Sequence, residues 1–293
     1  MSSLITSDGL NWMLQLAFGS TTEPTPDEWE VGNDDTAPTE SDTICLGRVP
    51  YTYTIAEDCD AVTGWTNFGD GGAVVLNTSG QNEGTGCLNL PISYSTGTSY
   101  WRKSGFSINL TSGNCDFYVF FYVDDKTNII SGSGGVRIYF GTGGWTNYYG
   151  YYFDKANIID GEWNVLRIPD PTNYDQIGGS GADLSNITDL QINVHTTGSY
   201  TGDSIRMDAW HYATEAEHQK SVEAGYPVVN TTYHTVVWKV KYATNQANGY
   251  KLQRLFFKNS NLMGFNTATY AYIFKTTAKE LFISTLMKIR NVT

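Results

Sequence analysis

The sequence predicts an all-β protein whose middle portion folds as a two-sheet sandwich or jelly roll. Three observations predict it. The chain is rich in Tyr, Phe, Trp, Thr and Gly, and Ala, Glu, Lys and Leu do not dominate. Such a composition pairs aromatic and β-branched side chains across strands and leaves Gly and Asn for turns. Between Tyr51 and Tyr212, apolar and polar residues alternate in short runs bounded by Gly, Asn and Ser. These runs recur at intervals of about ten to twenty residues, which suits the strands of a sandwich better than βαβ units.

At the start of the chain, residues 4–18 place Leu4, Ile5, Leu10, Met13, Leu14, Leu16 and Ala17 on a helical period. Ser7 and Asp8 are available as caps and Gly19 as a stop, so a short N-terminal helix is expected. A Pro/Thr/Asp-rich extended stretch follows, with one short strand around Trp29–Val31. Strands are then expected over 72–78, 87–93, 106–110, 116–125, 135–142, 147–154, 162–169, 189–196 and 203–212. Residues 214–227 read as a short helix ending before Gly225–Pro227, and further strands are expected over 234–243, 250–259, 268–276 and 280–292.

Charge divides the chain in the same way. Residues 1–50 carry −8, residues 51–213 carry −10 and residues 214–293 carry +6. Opposite signs at the two ends let them pack together or face different neighbours. The net charge of −12 argues against nucleic acid as a partner, because a phosphate backbone must be met by clustered Lys and Arg. No apolar run approaches the roughly 20 residues of a membrane span. The opening residues lack the basic and compact apolar regions of a secretory signal, which sets the expectation of assembly in a host cytoplasm. Cys45, Cys59, Cys87 and Cys115 show no CxxC spacing, so a zinc site is not expected, and buried free thiols are expected ahead of one or two disulfides.

Both chain ends resemble small tailed-phage structural proteins. The opening GLNWMLQLAFG followed by TTEPTPDEWEVGNDDTAPTESDT is similar to their short helix and TAP…DT stretch. The segments AGYPVVNTTYHTVVWKVKYATNQANGYKLQRLFFKN and KTTAKELFISTLMKIRNV resemble their closing strands. One departure is that Gln253–Arg254–Leu255–Phe256 stands where those proteins carry Glu before a Gly-Leu-Phe triplet. The resemblance implies that residues 1–50 and 214–293 form one small anchoring β-sandwich, interrupted by residues 51–213. It also implies virion partners and self-association as a trimer.

The middle segment resembles galactose-binding-like jelly rolls and carbohydrate-binding modules, through EDCDAVTGW, EGTGCLNL, FYVFFYVDD, VRIYFGTG, DGEWNVLRIP, DLSNITDLQINV and GDSIRMDAWHY, in that order. That resemblance implies a structural calcium ion, with Glu57, Asp58 and Asp208 as its ligands. Strand alternation separates Val136, Ile138 and Phe140 from Arg137 and Tyr139, and Leu190, Ile192 and Val194 from Gln191, Asn193 and His195. It likewise separates Phe117, Val119, Phe121 and Val123 from Tyr118, Phe120, Tyr122 and Asp124. With the apolar sets inside, an outer face of Tyr118, Tyr122, Arg137, Tyr139, Gln191, Asn193 and His195 is expected. Trp101 and Trp145 would edge it from loops. Rings there can stack on a sugar while polar groups meet its hydroxyls. Trp65, Trp163 and Trp210 are expected to pack rather than to meet ligand.

Asp124 and Asp125 are adjacent, poor geometry for the paired carboxylates of glycoside hydrolysis. The chain contains no GxSxG, HExxH or Gly-rich phosphate loop. An enzyme is therefore not expected. The expected role is a virion surface protein whose exposed jelly roll adheres to cell-surface polysaccharide. The alternative is purely architectural decoration or cement.

Overall fold

The computed structural model describes residues 3–5, 28–32, 48–93, 97–111, 115–132, 134–200, 204–225, 228–230, 235–252, 254–258, 264–267, 273–274 and 280–288. The protein is all-β. The first strands are β1 (Ser3–Ile5), β2 (Glu28–Gly32) and β3 (Arg48–Val49). Next come β4 (Thr54–Glu57), β5 (Thr66–Gly69), β6 (Val75–Asn77), β7 (Cys87–Asn89), β8 (Gly97–Ile108) and β9 (Asp116–Val123). They are followed by β10 (Val136–Thr142), β11 (Asn147–Phe153), β12 (Glu162–Ile168), β13 (Gln176–Gly178), β14 (Ile187–Thr196) and β15 (Ile205–Ala213). The chain closes with β16 (Lys220–Ser221), β17 (Val228–Asn230), β18 (Thr235–Tyr242), β19 (Lys251–Leu252), β20 (Arg254–Lys258), β21 (Gly264–Thr267), β22 (Ile273–Phe274) and β23 (Leu281–Lys288).

The chain divides into two compact units, one of Tyr53–Glu215 and one of Met1–Thr52 with Ala216–Thr293. In the two-ended unit, strands from both ends share a sheet ordered β1-β21-β20-β2-β16, with β3 also paired to β2. The β2–β20 register sets Glu28 opposite Lys258. This unit also contains a β17-β18-β23 sheet and the β19-β22 pair.

The expected N-terminal helix is corrected in part. Leu4 and Ile5 lie in β1, opposite Asn266 and Phe265, and residues 6–18 lie outside the described residues. The expected helix over 214–227 is one 3₁₀ turn, Glu215–His218, followed by β16. Its apolar residues were too few to hold a longer amphipathic helix.

The Tyr53–Glu215 unit is a jelly-roll sandwich of two antiparallel sheets. The front sheet runs β13-β11-β10-β14-β8-β5, and the back sheet runs β12-β9-β15-β7-β6 with β4 on β15. Their inner faces meet through the apolar sets read from alternation. Ile138, Phe140, Ile192 and Val194 from the front bury against Phe117, Val119, Phe121 and Met207 from the back. Trp65 and Trp210 join this core, with ring centroids 5.8 Å apart. Cys59 is a buried thiol.

Strand β8 is longer than the sequence suggested. It begins at Gly97 rather than near Phe106, and this extension builds the centre of the front sheet beside β14. Strand β5 completes one edge of that sheet against β8 and β13 the other against β11. Both are short strands with weak alternation.

Candidate functional site

The outer face of the front sheet is organised in cross-strand rows. Directly paired residues of antiparallel strands point to the same side. One row runs Gln176, Gly150, Tyr139, Gln191, Arg102 and Thr66 across β13, β11, β10, β14, β8 and β5. The next runs Tyr152, Arg137, Asn193, Tyr100 and Phe68. A third, on the other side of the first, carries Gly178, Tyr148, Gly141, Asp189 and Ser104.

Glycines in these rows make room for rings. A Cβ on Gly150 would stand 2.6 Å from the Tyr139 ring, one on Gly141 2.9 Å from the Trp145 ring, and one on Gly178 would clash with the Tyr148 ring. Those three rings therefore lie down along the sheet instead of standing off it. Trp145 belongs to the β10–β11 hairpin, where Gly143, Gly144 and Trp145 all take positive φ. Thr146 Oγ1 donates to the Gly143 carbonyl at 2.9 Å and closes the turn. A left-handed Trp is strained, and here the strain turns its ring back over the face. Gly150→Ala is expected to push the Tyr139 ring aside, lower stability by about 1–3 kcal/mol and reshape the pocket below. A urea-unfolding midpoint equal to wild type would contradict this seating.

The face holds a pocket of about 260 Å³. That is slightly below the roughly 300–1,000 Å³ of typical small-molecule sites. Its floor is Tyr139, Gln191 and Asn193, each under a tenth exposed. Around them stand Tyr100 and Arg102 on β8, Trp145 and Tyr148 on the hairpin, Gln176 on β13, and Thr98. A hydrogen-bond network fixes the floor. The Tyr139 hydroxyl donates to Gln176 Oε1 at 2.9 Å, and Tyr152 donates to the same oxygen at 2.5 Å. Gln191 Nε2 donates to Asn193 Oδ1 at 2.6 Å. Burial raises the Tyr139 pKa, so this phenol remains a neutral donor. Tyr139 and Tyr148 meet edge to face at 5.7 Å, and Tyr100 stacks on Phe68 at 5.1 Å.

Of the expected face, the pocket brings together Tyr139, Trp145, Gln191 and Asn193. Arg137 lies beside it, over the Tyr152 ring at 4.3 Å and 3.5 Å from the Tyr139 hydroxyl. His195 lies at one end, sharing a 3.0 Å hydrogen bond with Thr98. Burial and the Arg137 charge lower its pKa to about 4, so it is neutral near pH 7.

Three expected residues lie elsewhere. Trp101 is fully buried in mid-strand, opposite Ile192, with Nε1 donating to the Gly72 carbonyl at 2.8 Å. It is core because β8 extends through it and alternation turns it inward. Tyr118 and Tyr122 do alternate outward, but β9 belongs to the back sheet, so they face away from Tyr139. Tyr118 is fully buried, donating to Asp116 at 3.0 Å and stacked on His211. Tyr122 packs with Trp163 under the Arg206 guanidinium, which lies 3.6 Å from the Tyr122 ring.

Tyr100, Arg102, Tyr148, Gln176 and Thr98 were not anticipated. The run Ser99-Tyr100-Trp101-Arg102-Lys103 carries the signal for two of them, since an inward Trp101 sends its neighbours outward. Gln176 sits in a Gly-rich stretch without periodicity and has no such signal.

The expected calcium ligands do not converge. Glu57 pairs with Lys103 at 2.6 Å and accepts from Trp65 Nε1 at 3.3 Å. Asp58 is exposed and caps Asp60 N at 3.1 Å. Asp208 Oδ2 accepts from the backbone N–H groups of Asn82 and Glu83 at 2.7 and 2.9 Å. Burial raises its pKa to about 8, against the pull of those N–H groups. Among the described residues, no group of three or more His, Cys, Asp or Glu side chains could hold a metal ion. Among them too, no helix is long and apolar enough to cross a membrane.

No protein-family model matches the chain, and no curated protein matches it. Among solved structures, it is similar to one from a study of carbohydrate-binding modules of the β-sandwich superfamily, at TM-score 0.40 and 13% identity. That match takes in 56% of this chain and 63% of the other, less than two thirds of its length. It is also similar to a family 11 carbohydrate-binding module of Clostridium thermocellum in complex with a β-1,3-1,4-mixed-linked tetrasaccharide. There the TM-score is 0.39 and the identity 12%, over 55% of this chain and 95% of that one. A third is the CBM22-1 xylan-binding domain of Paenibacillus barcinonensis Xyn10C, at TM-score 0.31 and 12% identity, over 56% and 92%. At such identities and scores, these likenesses assign neither a family nor a ligand.

Proposed function

We propose that the Tyr53–Glu215 unit is a saccharide-binding module that holds its ligand without cleaving it. The observation that supports this most directly is the pocket itself. Tyr100, Trp145 and Tyr148 offer ring surfaces, while Gln176, Gln191 and Asn193 offer amides, on one face of a rigid sheet. Sugars present apolar C–H faces and rims of hydroxyls, so rings and amides together match both. Carboxylates are absent from the pocket lining, and glycoside hydrolysis by the usual route needs two.

The virion setting rests on the sequence resemblance of residues 1–50 and 214–293 alone. In that reading the two-ended unit anchors to other virion proteins and the jelly roll faces cell-surface polysaccharide. Co-sedimentation of the protein with purified particles tests it. A protein found only in the particle-free fraction would end the virion reading and leave the saccharide reading standing.

Pull-down on a panel of insoluble and immobilised polysaccharides tests the saccharide reading. Retention is expected on at least one of them, with retention lost in Tyr139→Ala. Failure of the wild-type protein to bind any polysaccharide in the panel or any glycan on an array would overturn it.

A further inference from the structure

We propose that the saccharide taken by this pocket is acidic, a uronate or another carboxylate-bearing sugar, and that Arg102 receives its carboxylate. This rests on the saccharide reading above and goes further by naming the chemical class.

Arg102 is the one ionised side chain lining the pocket, in a protein of net charge −12. Its Nε and Nη2 donate to Gln191 Oε1 at 3.0 and 2.8 Å. Gln191 is a neutral acceptor. A guanidinium has five N–H donors, and those two bonds leave three of them for a ligand. The rings of Trp145, Phe68 and Tyr100 lie 4.1, 5.1 and 5.8 Å from its central carbon. Packing of that kind holds the guanidinium in place while its donors point along its own plane.

Among the described residues, no carboxylate pairs with Arg102. The nearest acid in the rows, Asp189, is buried and already held by the Ser104 and Thr188 hydroxyls. Burial lowers the Arg102 pKa, and the charges of Tyr100 and Asp189 offset this only in part. Arg137 behaves alike in the adjacent row. Its Nε donates to the Gly134 carbonyl at 3.1 Å and it stacks on Tyr152, with no acid partner among the described residues. Two arginines without an ion-pair partner on this face of an acidic protein, against the one buried and hydroxyl-bonded carboxylate of Asp189, favour an anionic ligand group there. A planar carboxylate accepting two N–H bonds is the ligand group that fits a guanidinium fork best. The Asn193 amide N–H groups and the second N–H of Gln191 Nε2, which lie outside the hydrogen bonds described above, can meet sugar hydroxyls.

The test compares matched ligands by isothermal titration and affinity electrophoresis. The probes are oligogalacturonate, oligoguluronate and glucuronoxylan fragments, each beside its carboxyl-reduced neutral form. An acid form is expected to bind more tightly than its neutral form, on the order of tenfold or more, with the preference shrinking in high salt. Arg102→Gln is expected to abolish the preference, and Arg102→Lys, which keeps charge but loses the fork, to restore it only in part. Because the wild-type comparison needs no variant, misfolding of either substitution leaves the test intact. Equal binding of acid and neutral forms, or binding of neutral forms alone, overturns the inference while the saccharide reading survives. Absence of binding to every saccharide, acidic or neutral, overturns both.

Discussion

Replacing Trp101 by Ala is expected to lower the stability of the jelly roll by about 3–5 kcal/mol, the usual cost of deleting a buried large aromatic. Trp145→Gly should change stability by about 1 kcal/mol or less while removing saccharide binding. The two tryptophans look alike in sequence, each flanked by polar and Gly-rich residues, but their environments are opposite. The Trp101 ring is fully buried and its indole N–H is held by the Gly72 carbonyl. Its deletion would leave a cavity between the sheets and an unsatisfied carbonyl. Trp145 sits in a hairpin at φ 71°, a conformation Gly adopts without strain, so relief there offsets part of the lost packing. Urea unfolding and polysaccharide pull-down on both variants measure the two effects separately. A Trp101→Ala protein of wild-type stability that fails to bind would return Trp101 to the binding face and contradict the assigned course of β8.

The contrast explains what the sequence could and could not reveal. Alternation within Val136–Phe140 and Leu190–His195 identified which residues turn outward, and the structure agrees at Tyr139, Gln191 and Asn193. Faces follow from period two, which is a local property. Which sheet a strand joins is not local. Tyr118 and Tyr122 have the same alternation as Tyr139, but β9 pairs with β12 and β15 rather than with β10, and nothing within residues 116–123 encodes that choice. The glycine seats were equally hidden. Gly141, Gly150 and Gly178 read as turn or strand-breaking signals, and only cross-strand register shows that each lies beneath an aromatic ring. Arg102 was missed for a related reason. Its role depends on Trp145 folding back from a hairpin about forty residues away, a contact that periodicity cannot report.

The second large effect is a stability profile in pH set by two buried groups that oppose each other. His211 is fully buried among Tyr53, Tyr118 and Phe120, and its Nδ1 donates to the Ala209 carbonyl at 2.6 Å. Burial lowers its pKa to about 4. The unfolded chain takes up that proton near pH 6.5, so the contribution of His211 is complete above 6.5 and is lost as pH falls towards 4. The loss reaches about 3 kcal/mol at the acid end. His195 acts in the same direction but more weakly, being partly open to solvent. Asp208 works against them. Its pKa is raised to about 8, so the folded state keeps a proton that the unfolded chain releases near 3.9, and its contribution declines as pH rises from about 4 to 8. Between pH 4 and 6.5 the slopes oppose and flatten the wild-type profile, and above 6.5 only the decline remains. Asp208→Asn should expose the histidine slope, with stability rising from pH 4 to 6.5 and level beyond. His211→Phe should expose the carboxyl slope, with stability falling steadily towards pH 8. Urea midpoints measured across this range decide it. An Asp208→Asn protein equally stable at pH 4.5 and 7 would mean that His211 can take its proton inside the fold, and that its burial does not hold it neutral.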